Sequence, residues 1–441
     1  MITFNFTAIK VIDVIAAIYL YENIVYFEHR PELSSAFILK TSNEEEMEND
    51  QKELDEGVKA FFWAKRLSRC VGLWPATPNY YWFNICIFYL TIFVSLQLLH
   101  LYNSVNDFDK VIDDFTENLA STHMYTRILM LRVHNYKIGE MITQAMKEYN
   151  TNTFRNSDEI KVFMKFINKG KFLIKGLIIF IMSTEISWFL KPLTTPSSSD
   201  DLMIDNNKTL PQFILPFHVS LFYEVNSLKR YILTYLSLMP MVYVTGIGHS
   251  AVDCILVLLV FYISGKLSVL TTRINALKNN QYDCRKELKE IIAEHSRLLK
   301  MGDEVKDVYS TGLLVYLVNG NLLICVIGYQ ILINYMTGPN SDLLQYFVYI
   351  GATYFMIAIF CIISEHLTAE SNKVCEAYWN CEWYNMPQDC VKDIIYCIRR
   401  SQKPLALQAG KFSIFSSVTL TDVTKTALSY LSVLRNFLIA E

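Results

Sequence analysis

Three groups of residues have types and spacings that bear on chemistry. Cys375, Cys381, Cys390 and Cys397 share one polar stretch. Their intervals are wider than the roughly two to four residues separating paired cysteine ligands in zinc sites, so reduced, partly buried thiols are the expectation. "GIGHSA", Gly246 to Ala251, satisfies the dinucleotide pattern G-x-G-x-x-A. No strand precedes it and an apolar helical run surrounds it, so its glycines are expected to permit close helix packing or a kink. No metalloprotease, Walker or nucleophile-elbow motif is found, and no catalytic dyad; the sequence offers no active site. The third group is "FSSVTLTDVTKTALSYLSVLRNF", Phe415 to Phe437. It is long enough to cross a bilayer, yet carries Asp422, Lys425, Arg435 and a run of serines and threonines. Lipid does not accept so many polar groups on one helix, so this segment must face protein or water.

The elements that hold these groups follow from the distribution of apolar residues. The chain has 441 residues, of which 52% are hydrophobic and only 19% charged, and the apolar ones gather into membrane-length runs. Glycine and proline are scarce, so helices rather than hairpins carry those runs. The class is an all-α polytopic membrane protein. A net charge of −3 gives no support for a nucleic-acid partner.

Seven spans are expected. The first is Tyr81 to Tyr102. The second, about Val111 to Tyr136, contains Asp113, Asp114, Glu117, His123 and Arg127 and so has to be shielded by protein or water. The third is Phe172 to Leu190, with Glu185 inside it. The fourth, Tyr231 to Leu267, is interrupted by Pro240, Gly246 and Gly248. The fifth is about Gly312 to Met336, the sixth Leu343 to Leu367, and the seventh is the polar segment above. Lysine and arginine concentrate on one side of this scheme. Lys59, Lys65, Arg66 and Arg69 precede span one, and comparable clusters lie between spans two and three, four and five, and six and seven. By the positive-inside rule the N-terminus is cytoplasmic and the C-terminus extracellular. The sequon Asn207-Lys208-Thr209 then lies outside, where glycosylation is possible; Asn5-Phe6-Thr7 lies on the wrong side.

Residues 1–57 read as an N-terminal extension, poorly ordered or partly helical, in which the acidic stretch Asn43 to Glu56 is solvated. Residues 58–441 form the membrane unit. Between spans four and five, Leu288, Ile291, Ile292, Leu298, Leu299 and Val305 recur at helical spacing. That amphipathic helix serves either as an assembly surface or as packing for its own subunit.

Particular residues then point to a family. "EHLTAESNKVCEAYWNCEWYN", "RRSQKPLALQAGKF" and "TKTALSYLSVLRNF" resemble the C-terminal signature of insect odorant receptors, "VGLWP" resembles the segment before their first span, and "IIAEHSRLL" the loop before their fifth helix. The similarity runs in order over about residues 58–441. It implies a subunit of a tetrameric, odorant-gated, non-selective cation channel at the plasma membrane of olfactory neuron dendrites. Its partners would be a co-receptor subunit, membrane lipid and a small volatile ligand. The loop from Lys266 to Lys306 is too short for the co-receptor's long insertion, which makes this chain similar to the odour-specific subunits. No cofactor is implied.

On the same resemblance the last helix lines the pore. Thr426, Ser429 or Tyr430, Val433 and Phe437 fall on one of its stripes, with Val433 and Phe437 at a hydrophobic gate and Asn436 beside it. Arg435 faces a neighbouring helix or the outer interface, and Asp422 can pair with Lys425. The odorant pocket would lie among helices two, three, four and six. Thr184, Trp188, Tyr235, Met239, Tyr346 and Tyr349 are the matching candidates. The other readings are a gustatory-type receptor channel, with the same architecture, and a G-protein-coupled receptor, which requires the opposite orientation.

Overall fold

The computed structural model describes residues 38–194, 204–205, 208–209, 214–277, 283–337 and 343–440, with side chains in the last helix described as far as Val433. The chain divides into two compact units, residues 1–49 and 50–441. Ten α-helices occur among the described residues: α1 (Ile38–Cys70), α2 (Tyr80–Asn103), α3 (Phe108–Val133), α4 (Asn135–Lys147), α5 (Ser157–Thr194), α6 (Leu228–Asn275), α7 (Asp283–Thr337), α8 (Leu343–Asn380), α9 (Gln388–Ser401) and α10 (Ser417–Ala440). Two minimal antiparallel pairs complete them. β1 (Ile204–Asp205) pairs with β2 (Lys208–Thr209), and β3 (Gln408–Ala409) with β4 (Ser413–Ile414).

Local chemistry sets the helix ends. Asn79 caps α2 by accepting from the Trp82 amide at 3.1 Å, and Ser227 caps α6 by accepting from the Arg230 amide at 3.4 Å. α1 ends where Gly72 takes φ +71° and the Leu73 amide donates back to the Ser68 carbonyl at 2.7 Å. That turn drives Val71, Leu73 and Trp74 of "VGLWP" into the core, where each is buried. The acidic stretch Asn43 to Glu56 is helical within α1, and from Met47 on most of its side chains are exposed or half-buried.

Five helices among the described residues are long and apolar enough to cross a membrane: α2, α5, α6, α7 and α8. α6 stands apart from the others. In its most apolar stretch 89% of residues are buried inside the protein, against 17% in α5 and 28% in α2. It is therefore the central post, and the others wrap it while showing apolar faces outward, as at Phe88, Ile179 and Phe347. Helices in lipid gain little from hydrophobic burial against one another, so close packing and hydrogen bonds must hold them. The glycines of "GIGHSA" serve this packing. A Cβ at Gly248 would stand 2.7 Å from the Ile128 side chain of α3, and one at Gly246 3.4 Å from Cγ of Glu185 on α5. α6 nevertheless runs unbroken through Pro240 and both glycines, so the expected interruption is absent. Neighbouring helices tolerate and support a proline in such a setting.

α3 corresponds to the second expected span, and its charges are shielded by protein. Asp114, His123 and Arg127 are all buried. At one end of the bundle the Glu148 carboxylate joins three elements. Arg297 of α7 donates to it through both terminal nitrogens, Nη2 at 2.9 Å, while Lys266 and the Tyr262 hydroxyl of α6 reach it at 3.2 Å and 2.5 Å. Glu159 of α5 binds Arg273 of α6 nearby at 2.6 Å. At the other end Asp114 holds both His100 and His218, at 2.9 Å and 3.0 Å, tying residues 214–221 over α2 and α3.

The amphipathic stretch of α7 packs within its own chain: Leu288, Ile291, Leu298, Leu299 and Val305 belong to the core.

Candidate functional site

A cavity of about 90 Å³ lies within the bundle, walled by α3, α5, α6, α7 and α8. Its apolar wall includes Phe180, Ile181 and Leu323; its polar groups are His123, Thr184, Glu185, His249, Asn319, Tyr349 and Thr353. An apolar hollow with a few converging polar groups is the general form of a small-molecule site. α7 contributes Tyr316, Asn319 and Leu323, an element outside the four expected to frame the pocket.

The six candidate ligand residues occupy different surroundings. Thr184 and Tyr349 line the cavity. Trp188, one turn further along α5, lies against the Tyr349 ring at 5.4 Å between centroids and so backs the wall. Tyr235 packs against Phe189 at 4.7 Å and donates its hydroxyl to the Phe189 carbonyl, away from the cavity lining. Tyr346 points its hydroxyl at the Asp113 carboxylate, 3.5 Å away. Met239 is 58% exposed and lines nothing in the cavity.

Behind His249 and Tyr316, which line the cavity, lies more charge than the sequence assigned to any pocket. Arg127 of α3 donates to Asp253 of α6 through both terminal nitrogens, and both residues are buried. His249 Nε2 lies 3.1 Å from Arg127 Nη1 and 3.2 Å from Asp253 Oδ2, so its tautomer decides which bond it makes. The guanidinium also sits over Tyr316 at 5.2 Å and Phe360 at 5.6 Å. His123, packed edge-on to Tyr316 at 4.8 Å, has neither ring nitrogen hydrogen-bonded among the described residues. The signal for these residues was present, since an ionisable side chain inside an apolar span is costly and tends to mark a site. Sequence alone did not show that His123, Glu185 and His249, from three separate helices, meet at one hollow.

α10 packs on α7 and α8 through one face. Val423 and Ala427 are buried, and the Leu431 side chain reaches within 3.3 Å of where a Cβ would stand on Gly328. The opposite face is open. Thr426, Ser429, Tyr430 and Val433 are all exposed, Val433 at 53%. Asp422 and Lys425 are exposed too and form no ion pair with each other among the described residues. The side chains of Arg435, Asn436 and Phe437 lie outside the described residues, as does Asn207.

Away from the spans, Cys375, Cys381, Cys390 and Cys397 are free thiols, the last three buried. No cluster suited to a metal ion occurs among the described residues. Burial pushes the Cys397 thiol up to about 11, against the pull of the Tyr378 hydroxyl.

Long apolar helices around a buried core helix, with a small cavity among them, have the form of a multi-pass membrane protein. Known proteins narrow this further. The family model described as 7tm Odorant receptor matches residues 107–428, and the chain belongs to that family. Odorant receptor 13a of Drosophila melanogaster is 24% identical over 392 residues, covering 82% of this chain and 88% of its own length. The odorant receptor coreceptor of Harpegnathos saltator is 24% identical over 157 residues, 36% of this chain and 32% of the relative. Among solved structures, the insect olfactory receptor OR5 from Machilis hrabei in complex with eugenol superposes with a TM-score of 0.70 at 15% identity. That match covers 87% of this chain and all of the other, a likeness of fold.

Proposed function

We propose that this chain is the odour-binding subunit of a ligand-gated, non-selective cation channel, taking a small volatile molecule into the cavity between α3, α5, α6, α7 and α8. The observation that carries this reading is that cavity itself: set between five helices, mostly apolar, with Thr184 and Tyr349 on its wall, in a chain of the odorant receptor family. Burial of an apolar ligand supplies most of the binding energy, and one or two hydrogen bonds orient it. In this reading α3 and α10 complete seven spans, residues 1–57 and the Glu148 end are cytoplasmic, and the segment with Asn207 is extracellular and open to glycosylation. The lysine and arginine distribution supports that orientation.

The pore would run along the open face of α10. Thr426, Ser429 and Tyr430 supply polar contacts to water, and Val433 with Asn436 and Phe437 forms the narrow apolar ring that closes by dewetting. Exposure of Thr426, Ser429, Tyr430 and Val433 in the single chain favours this, because a face left open by one subunit is free to meet a shared axis. A co-receptor subunit supplies the remaining copies of that axis in a heterotetramer at the plasma membrane of olfactory neurons. The chain's similarity to part of a coreceptor is consistent with related subunits assembling together. The test is co-expression: volatile-evoked cation current is expected only when chain and co-receptor are both present, and Val433→Ala is expected to alter resting leak or ion selectivity. Robust current without the co-receptor, or a response requiring a G protein and no channel subunit, would overturn the scheme.

A further inference from the structure

Glu185 is the one wall residue of the cavity whose charge has no answer in its surroundings. It projects from α5, its Cγ packed 3.4 Å from where a Cβ would stand on Gly246 of α6. The Thr245 hydroxyl donates to its carboxylate at 3.4 Å, and no Lys, Arg or His forms an ion pair with it among the described residues. The nearby cation Arg127 is already committed to Asp253. Glu185 is half-buried at the edge of this hollow, and a carboxylate inside an apolar span is costly unless it is neutralised or meets a cation.

Two further features of the same hollow favour a cation. His123 is 6% exposed, lines the cavity, and leaves both ring nitrogens without a partner among the described residues, so a neutral imidazole there has a lone pair to offer an N–H donor. Phe180, Tyr316 and Tyr349 also line it, and the faces of such rings attract a desolvated ammonium. A ligand that brought only a carbonyl would leave the carboxylate unanswered.

We propose that the cavity selects a small protonated amine, its ammonium on the Glu185 carboxylate with His123 as a second acceptor, and its apolar body among Phe180, Ile181 and Leu323. This rests on the reading of the cavity as the ligand site and names the class of ligand it takes. The volume of about 90 Å³ limits the ligand to a single ring or a short chain.

Benzylamine and benzyl alcohol share a shape and differ in charge, which makes them the probes. Radiolabelled benzylamine is bound to membranes from cells expressing the full chain, with membranes lacking it as background, and benzyl alcohol serves as competitor. Benzylamine is expected to bind at least about tenfold more tightly than the alcohol, the scale of one good charge-assisted contact. Glu185→Gln should raise its Kd by about tenfold or more and leave the alcohol within about threefold. Glu185→Asp, which keeps the charge one methylene further back, should weaken benzylamine by about threefold and stands in if the Gln variant fails to reach the membrane. Equal affinity for amine and alcohol, no specific amine binding, or variants that weaken both probes equally would overturn the proposal. Binding with no current on co-expression would instead overturn the channel reading and leave the amine site standing.

Discussion

The Arg127–Asp253 pair offers a direct measure of how this bundle holds charge in its interior. Asp253→Leu removes the carboxylate and leaves the guanidinium buried, with Arg127 only 3% exposed. Stranding one partner of a buried ion pair costs about 3–5 kcal/mol. Some of that is recovered here, because Arg127 keeps His249 Nε2 at 3.1 Å as an acceptor and the faces of Tyr316 and Phe360. Each ring contact contributes about 0.5–2 kcal/mol, but both exist before and after the change, so only their strengthening counts. A net loss of about 3 kcal/mol is the expectation. The double variant Arg127→Met with Asp253→Leu removes both charges at similar volume and should recover most of the loss, leaving a value within about 1 kcal/mol of the unaltered protein. Reversible unfolding in mixed micelles reads the free energies, and the coupling between the two sites comes from the full cycle. If Asp253→Leu alone lay within about 1 kcal/mol of the parent, or the double variant were as unstable as the single one, the pair would not be satisfying a buried charge.

Other perturbations test separate parts of the structure. Gly72→Ala places a Cβ 2.7 Å from the Asn79 carbonyl at φ +71°, and should cost about 1–3 kcal/mol, read in the same unfolding assay. The Cys397 thiol, pushed up to about 11 by burial, stays protonated at pH 8, so alkylation should be slow there and quicken about tenfold per pH unit towards 11. The sign for stability follows: an unfolded thiol ionises near 9.0 and the folded one near 11, so this residue's contribution is intact below 9.0 and is lost as pH rises through that window. A Cys397 alkylated as fast at pH 8 as a free surface thiol would contradict its burial. Trp188→Ala removes the ring that backs Tyr349, and an aromatic pair worth about 0.5–1.5 kcal/mol predicts an odorant sensitivity lowered by roughly threefold to tenfold. Unchanged dose–response curves would show that the wall does not depend on it.

The parts of the fold legible in sequence were those written in composition. Uncharged runs such as Tyr81 to Tyr102 can satisfy their backbone in lipid only as helices, and α2 is one. The charged second span announced that it needed shielding, and the buried Asp114, His123 and Arg127 of α3 show how it is met. Length and continuity were harder. Pro240 and two glycines suggested a break in the fourth span, yet α6 is continuous, because a helix surrounded by protein has neighbours that compensate for a weakened backbone. In the same way, the acidic stretch Asn43 to Glu56 has only Met47 and Leu54 as apolar residues but lies in a helix that continues to Cys70, with Leu54 buried.

The site was less legible for a geometric reason. An aromatic on a membrane helix has the same sequence signature whether it faces ligand, lipid or another helix, and Tyr349, Met239 and Tyr235 divide among a cavity wall, an exposed face and an interhelical contact. Rotation of a helix about its axis decides among these, and that rotation is set by packing, here by Gly246 and Gly248 drawing α5 and α3 against α6. Titratable residues are better guides, because their cost in an apolar setting is high whichever way the helix turns. Glu185 and His123 were visible as anomalies in their spans before anything placed them together. Their meeting at one hollow gives each a reason to be there that neither span could supply alone: a carboxylate without a cation and an imidazole without a partner are tolerable in a receptor's core if a ligand completes them.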